Sequence, residues 1–262
     1  MKKILYVFLI SCFSLTIFSC AKKDGSSDTS TSFWPKQIGT SSNDYGTGVT
    51  VEFSDNIHVS GQSNGGLDGN INSLNDGIFL VKYNSSGTKL WTKQLGIFDN
   101  ESGISMTVDS SDNIYVTGYT TEGYDGNSNS GNYDIFLVKY NSSGNKLWTK
   151  QLGNSDTDIG MGVTVDSSDN IYVTGIASGG LDSNTSSGGE DIVLVKYSSS
   201  GTKQWTKQLG SSSSDFAWDV TVDSSDNIYV TGFINGSLDG QFNQESNYDI
   251  FLVKYNSDGV KQ

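Results

Sequence analysis

The chain has no arginine, one histidine, one proline and two cysteines in 262 residues. Each shortage excludes something. Lysine alone supplies positive charge, 16 residues against 29 acidic ones, so the surface repels nucleic acid and anionic membrane. A lone histidine, His58, leaves no histidine-based triad or zinc site to assemble. No phosphate loop or dinucleotide fingerprint occurs. Carboxylate-only chemistry, as in glycosidases, stays open. One proline beside 31 glycines argues for strands joined by tight turns rather than helices.

The first residues read as an address. Lys2 and Lys3 precede Ile4–Phe18, an apolar run of 15 residues, short for a membrane span and suited to a secretory signal. The run ends in Ile17-Phe18-Ser19-Cys20, which resembles a bacterial lipoprotein lipobox with Phe18 in place of the usual small residue. The resemblance implies removal of residues 1–19 and lipidation of Cys20, anchoring the protein in a bacterial envelope membrane (outer membrane or cell surface). Cys12 would leave with the signal, so no disulfide could form within the mature chain. Residues 20–32, polar and low in complexity, read as a flexible tether. Loss of Lys2 and Lys3 would leave 14 lysines against 29 acidic residues, a net −15.

Residues 33–262 carry an internal repeat. Asp109-Ser-Ser-Asp-Asn-Ile-Tyr-Val-Thr-Gly118 recurs at 166–175 and 223–232, with a worn copy at 52–61, and the closing glycines step by 57 residues. Trp34, Trp91, Trp148 and Trp205 keep the same step, each opening a Trp-x-Lys-Gln-(Ile/Leu)-Gly string. In the third repeat, 162–166 and 171–175 read as strands A and B, 191–197 and 203–209 as strands C and D. Asn170 is expected at positive φ in the A–B turn, and Gly201 in the C–D turn. Strand C is apolar on both faces, Ile135 and Leu137 on one side, Phe136, Val138 and Tyr140 on the other, so it belongs inside stacked sheets. Four short strands per long repeat predict an all-β fold, a β-propeller of four blades with four antiparallel strands each.

These strings, with Asp-Ile-Phe-Leu-Val-Lys-Tyr-Asn-Ser-Ser-Gly and Lys-Leu-Trp, resemble the bacterial β-propeller repeat family called SBBP. That family commonly has Gly where this chain has Asp112, Asp169 and Asp226. Gly144 to Trp148 also resembles the tryptophan-docking repeats of quinoprotein propellers, in which the indole wedges between blades. The resemblance implies a repeat scaffold of the same architecture. The last repeat stops inside strand D, whereas 33–39 is a strand D string with no A, B or C before it. We therefore expect 33–39 to pair with 249–255 and close a monomeric ring. A fragment of a longer array, or two chains sharing one ring, are the alternatives.

Tight turns fall on one face of such a ring; the long B–C loops and the D–A connections fall on the other, where binding usually sits. Tyr124, Phe98, Phe216 and Phe242 are the aromatic ligand-face candidates, for a protein or a glycan. Trp218, at the start of strand A, reads as core packing, and His58, where other repeats have tyrosine, as a strand residue. The B–C loops also carry spaced oxygen side chains: Asp68, Asn70, Asn72 and Asp76; Asp125, Asn127, Asn129 and Asp134; Asp182, Asn184 and Asp191; Asp239, Asn243 and Asp249. Two readings stay open: calcium loops, since alternate oxygens suit a hard cation, or plain turns, since Asp-Gly and Asn form turns readily. Beyond calcium no cofactor is called for. The recurrence of these Asp residues points to structure, and the chain reads as a binding scaffold rather than an enzyme.

Overall fold

The structure is a computed structural model and describes residues 34–70, 77–95, 102–238, 240 and 248–262. The leader, Cys20 and the tether lie outside these residues, as do Asn72, Asp76, Phe98, Asp239, Phe242 and Asn243.

Among the described residues fifteen strands form four antiparallel sheets, each a meander in chain order. The first holds β1 (Asp44–Val51), β2 (Ile57–Ser63), β3 (Gly77–Tyr83) and β4 (Lys89–Leu95). The second holds β5 (Ser102–Val108), β6 (Ile114–Thr120), β7 (Asp134–Tyr140) and β8 (Lys146–Leu152). The third holds β9 (Asp158–Val165), β10 (Ile171–Ser178), β11 (Glu190–Tyr197) and β12 (Lys203–Leu209). Among the described residues the fourth holds β13 (Asp215–Val222), β14 (Ile228–Ile234) and β15 (Asp249–Tyr255). These are the blades of a β-propeller, and the predicted strands of the third repeat fall within β9 to β12 apart from a residue at one end.

Strand C behaves as its composition requires. Every residue of β3 and β7 is buried. Phe136 and Val138 pack with Ile78 and Leu80 of the first blade and with Met106 of their own. Ile135 and Leu137 pack with Val163, Ile171 and Val173 of the third. The core is therefore a row of joints between blades, each fully buried Leu or Ile contributing on the order of 1.5–3 kcal/mol.

Two sequence features acquire a cause. The glycine that ends the repeated string, such as Gly175, lies opposite a β-bulge in strand A, and a Cβ there would sit 1.9 Å from the Ile159 carbonyl oxygen. Each tryptophan covers the C–D turn of the next blade: a Cβ on Gly201 would lie 3.0 Å from the Trp148 ring. Gly201 does take positive φ (80°). In the A–B turn the left-handed residue is Asp169 (φ 58°), not Asn170, and Asp55, Asp112 and Asp226 match it. Asn170 instead donates its backbone N–H to Asp166 Oδ1 (2.8 Å), which fixes it one position past the turn. Because Asp tolerates the left-handed region only at a cost, the glycine usual at this position in the resembling family fits the same backbone.

The expected closure by the N-terminal strand is corrected. Residues 35–39 form no strand, and β15 has no partner strand on its outer edge among the described residues. The string docks through its side chains alone. Trp34 and Lys36 lie against Gly87 of the first blade as Trp91 and Lys93 lie against Gly144 of the second. Ile38 packs on the buried cluster of Phe79, Val81 and Tyr83. The indole side of a strand D thus finds its place without its backbone edge being paired.

Candidate binding face

The B–C loops fold back onto strand D by a clamp that repeats in three blades. Gln151 Oε1 accepts from the Tyr124 N–H (3.1 Å) and its Nε2 donates to the Glu122 carbonyl (3.0 Å). Gln94 holds Leu67 N–H and the Gly65 carbonyl, and Gln208 holds Leu181 N–H and the Gly179 carbonyl, in the same way. Sequence reasoning missed these glutamines as loop anchors, although the recurring Trp-x-Lys-Gln string carried the signal.

The first Asp of each loop is also engaged from strand D. Asp68 binds Lys89 Nζ (2.5 Å) and the Thr92 hydroxyl. Asp125 binds Lys146 Nζ (2.6 Å) and Thr149, and Asp182 binds Lys203 and Thr206. Lys89 and Thr92 hold Asp68 below the usual carboxylate range, while for Asp125 Lys146 and Thr149 achieve this against a rise from burial. All three Asp residues have positive φ, 50–53°. The neighbouring amides cap the same turn: Asn70 donates to the Leu67 carbonyl (2.7 Å), Asn127 to Tyr124 (2.5 Å) and Asn184 to Leu181 (2.7 Å). Asn129 donates to the Thr121 carbonyl and accepts from Gly131 N–H (2.9 Å).

The last carboxylates of the sets lie deeper. Asp134 Oδ2 accepts from Ser130 N–H (2.9 Å) and Gln151 (3.1 Å); Asp191 Oδ2 accepts from Ser187 N–H (2.8 Å) and Gln208 (2.9 Å). Asp249 opens β15, half-buried. Among the described residues, Asp68, Asp125 and Asp182 are thus engaged by lysine and threonine, while Asp134 and Asp191 each engage one oxygen and leave Oδ1 without a hydrogen bond. Among the described residues no three Asp, Glu, His or Cys side chains are placed to hold a metal ion.

Between the second and third blades two buried carboxylates meet. Tyr133 and Thr157 form a bridge just before Asp134 and Asp158. Asp134 is 1% and Asp158 0% exposed, and each leaves Oδ1 without a hydrogen bond. Burial pushes the Asp158 carboxyl up to about 7; the charges of Asp134 and Asp156 add to this, against one hydrogen bond from Asn154 N–H (2.7 Å). An acid of this pKa could exchange a proton near neutrality, yet it is sealed beneath the D–A connection.

The fourth blade enlarges an aromatic pair that the second also carries, where Tyr119 meets Tyr133 edge-on at 4.9 Å. Phe216 stacks on Phe233 at 4.8 Å, Tyr248 meets Phe233 edge-on at 5.0 Å, and Trp218 lies 6.2 Å from the same ring. Trp218 is 58% and Tyr248 59% exposed. The expectation that Trp218 packs in the core is corrected: it is the residue skipped by the bulge between Ala217 and Asp219, so no strand partner holds it inward. The matching Ile104 and Met161 stay half-buried even where a following blade covers their sheet. Phe216 is brought into this cluster. Tyr124 stands apart, half-buried in its loop under Lys146 Nζ at 4.9 Å.

The tight-turn face is bound up internally. Asp109 accepts from Asn113 and from the Tyr115 hydroxyl (2.9 Å), with Lys139 at 3.3 Å; Asp166 and Asp223 repeat the tyrosine bond. In the first blade Glu52 and His58 take these places, His58 Nε2 lying 2.6 Å and Lys82 Nζ 2.7 Å from Glu52 Oε1. A longer acid meets a shorter ring. Burial would raise the Glu52 carboxyl, but bonds from Lys82, His58, Asn56 and Ser54 hold it at about 2. Burial, outweighing Glu52, lowers the His58 pKa.

The chain is 30% identical over 186 residues to the uncharacterized WD repeat-containing protein L264 of Acanthamoeba polyphaga mimivirus, 56% of this chain and 13% of that protein. It is 27% identical over 163 residues to the regulatory protein FlaEY of Caulobacter vibrioides, 56% of this chain and 17% of that protein. The chain thus spans less than a fifth of either relative's length. A Bacteroides caccae protein of unknown function overlays on 82% of this chain and 62% of its own, with TM-score 0.40 and 11% identity. Residues 34–68, 90–125, 147–182 and 204–239 each match the β-propeller repeat called SBBP, and the chain belongs to that family.

Proposed function

We propose that this protein is an exported, lipid-anchored β-propeller of the bacterial envelope that binds a protein or glycan ligand and performs no catalysis. The carrying observation is the aromatic cluster of the fourth blade, Phe216, Trp218, Phe233 and Tyr248. The corresponding residues of the third blade, Ile159, Met161, Ile176 and Glu190, include no aromatic ring. Four aromatic rings in one repeat, two of them more than half exposed, offer an apolar surface for sugar stacking or protein contact. The lipobox-like Cys20 supplies the anchor, and the acidic surface keeps nucleic acid away.

The test is binding of the full chain to glycan and protein arrays, followed by titration with tryptophan fluorescence. Trp218→Ala should weaken any ligand found by tenfold or more, as expected for a desolvated aromatic contact of ~2 kcal/mol. Unchanged affinity in that variant would overturn the reading. The calcium alternative is checked in the same material by melting with calcium and with chelator. A rise of several degrees in calcium alone would place an ion among the loop oxygens, because a ligand at ~100 times its Kd adds about 2.7 kcal/mol.

A further inference from the structure

Strand A of the first, third and fourth blades opens on an aspartate: Asp44, Asp158 or Asp215. The same carboxylate meets different company in each. Asp44 accepts from the Thr40 N–H (2.6 Å) and hydroxyl (3.1 Å) and from the Ser63 hydroxyl (2.5 Å). Asp215 accepts from the Ser211 N–H, the Ser211 hydroxyl (3.1 Å) and the Asn235 N–H (3.0 Å). Both oxygens of each are thereby bonded.

Among the described residues Asp158 keeps one donor, the Asn154 N–H at 2.7 Å from Oδ2. Three changes strip the rest. Asn154 stands where the others have Thr40 or Ser211, and its amide goes to the Ser178 carbonyl (2.7 Å) instead. Ala177 stands where the first blade has Ser63. The Ser178 N–H, counterpart of Asn235, goes to the Thr157 carbonyl (2.8 Å). Asp158 Oδ1 is left without a partner on a side chain that is fully buried.

A second stripped carboxylate faces it. Tyr133 and Thr157 pair as a parallel bridge, and Asp134 and Asp158 follow them. Residues one step along two paired parallel segments turn to the same side, so the two carboxylates share one side of the joint between the second and third blades. Asp134 is 1% exposed and its Oδ1 has no hydrogen bond. That oxygen points at the connection leading to Asp158, since a Cβ on Gly153 would lie 2.1 Å from it. The charges of Asp134 and of the exposed Asp156 act against ionisation of Asp158. No lysine answers this pair: among the described residues Asp68, Asp109, Asp125 and Asp182 each have one in ion-pair contact, Asp134 and Asp158 none. At the next joint Asp191 repeats the bare Oδ1, but Asp215 there is bonded on both oxygens.

Buried carboxylate oxygens without positive charge or donors are strongly destabilising. Hard oxygens with no imidazole or thiolate suit a hard cation, which completes its shell with carbonyl oxygens and water, so two carboxylates can suffice. We propose that the joint between the second and third blades holds one structural divalent cation, calcium being the fitting ion, between Oδ1 of Asp134 and Oδ1 of Asp158. The ion ties the B–C loop of one blade to the D–A connection of the next. It is separate from the loop turns at Asp68, Asp125 and Asp182, which lysine already neutralises. In its absence Asp158 takes up a proton instead.

The test melts the full chain, stripped with chelator, at pH 8 in calcium chloride or in sodium chloride of equal ionic strength. Calcium should raise the melting temperature by several degrees over sodium. The rise should shrink at pH 5, where a proton competes for Asp158. Asp134→Asn and Asp158→Asn should each abolish it, and both should melt in chelator no lower than the parent, since each removes a buried charge and keeps the shape. Asp125→Asn and Asp182→Asn should preserve it. Equal melting in calcium and sodium at pH 8, with stability gained only as pH falls, would show a shared proton and overturn the proposal. The unmodified chain decides this arm, so a variant that failed to fold would not shelter it. A rise that survives Asp158→Asn and is lost in Asp125→Asn or Asp182→Asn would move the ion to the loops and overturn it equally.

Discussion

The third and fourth blades share nearly the same strands and lead different lives. Ile192 and Leu194 of β11 are 2% and 1% exposed; their counterparts Ile250 and Leu252 of β15 are 87% and 72% exposed. The third blade has a sheet on each side and the fourth on one. Apolar composition on both faces of a strand therefore records where the strand expects a neighbour, and the neighbour alone decides whether the water leaves. The opposite faces of the two strands, Val193 and Val195 against Phe251 and Val253, are buried in both.

The comparison breaks most sharply at one leucine. Leu194→Ala should cost about 2–5 kcal/mol in urea unfolding, as for other large-to-small changes in a packed core. Leu252→Ala should cost within about 0.5 kcal/mol when the chain is dilute. Equal costs would show that the fourth blade's face is covered in solution.

A smaller effect should follow from Asp158, buried on the flanked side of the third blade. Its carboxyl is raised to about 7 when folded, so the folded state holds a proton that the unfolded chain has released. Stability is therefore highest below the unfolded pKa and falls as pH rises toward 7. The loss is of order 2 kcal/mol or more. Asp158→Asn should flatten the profile between pH 4 and 8, measured by thermal melts; an unchanged slope would assign the dependence elsewhere.

The first blade's exchanged pair sharpens the comparison further. Glu52→Asp alone and His58→Tyr alone should each cost about 1–3 kcal/mol, one leaving a gap and the other a clash in a buried hydrogen bond. The double variant restores the acid and ring of the other blades and should recover part of that loss, read as a coupling energy in a double-mutant cycle. Additive losses would mean that the two residues act apart.

The smallest effect lies at the exposed turns. Ser167→Ala removes the hydroxyl donated to Asp226 (2.8 Å) and should cost about 0.5–1 kcal/mol. Ser224→Ala, with no such partner among the described residues, should be neutral. A cost equal to that of Ser167→Ala would show that Ser224 has a partner of its own.

Much of this was legible beforehand because the repeat multiplies every signal. Strand C, the turn glycines and the docked tryptophans each recur three or four times at fixed spacing. The misses share one cause. Which of Asp169 and Asn170 turns left-handed depends on a side-chain bond from Asp166 that no propensity encodes. Trp218 looked like core because large aromatics usually are, but the bulge at Ala217–Asp219 removes its strand partner. Nor does spacing within the loops reveal that Lys89, Lys146 and Lys203, some 20 residues on, reach back to Asp68, Asp125 and Asp182.

The sequence by itself determined the number of repeats, the order of strands within each and the faces meant for burial. Period-2 alternation and turn residues act over a few positions, and these are all short-range properties. Only the tertiary structure decided which faces are covered, where the string at residues 34–39 lies and which carboxylates are neutralised. Those outcomes depend on groups tens to hundreds of residues apart reaching one another, and their energy comes from water displaced between blades, a property of the pair rather than of either strand.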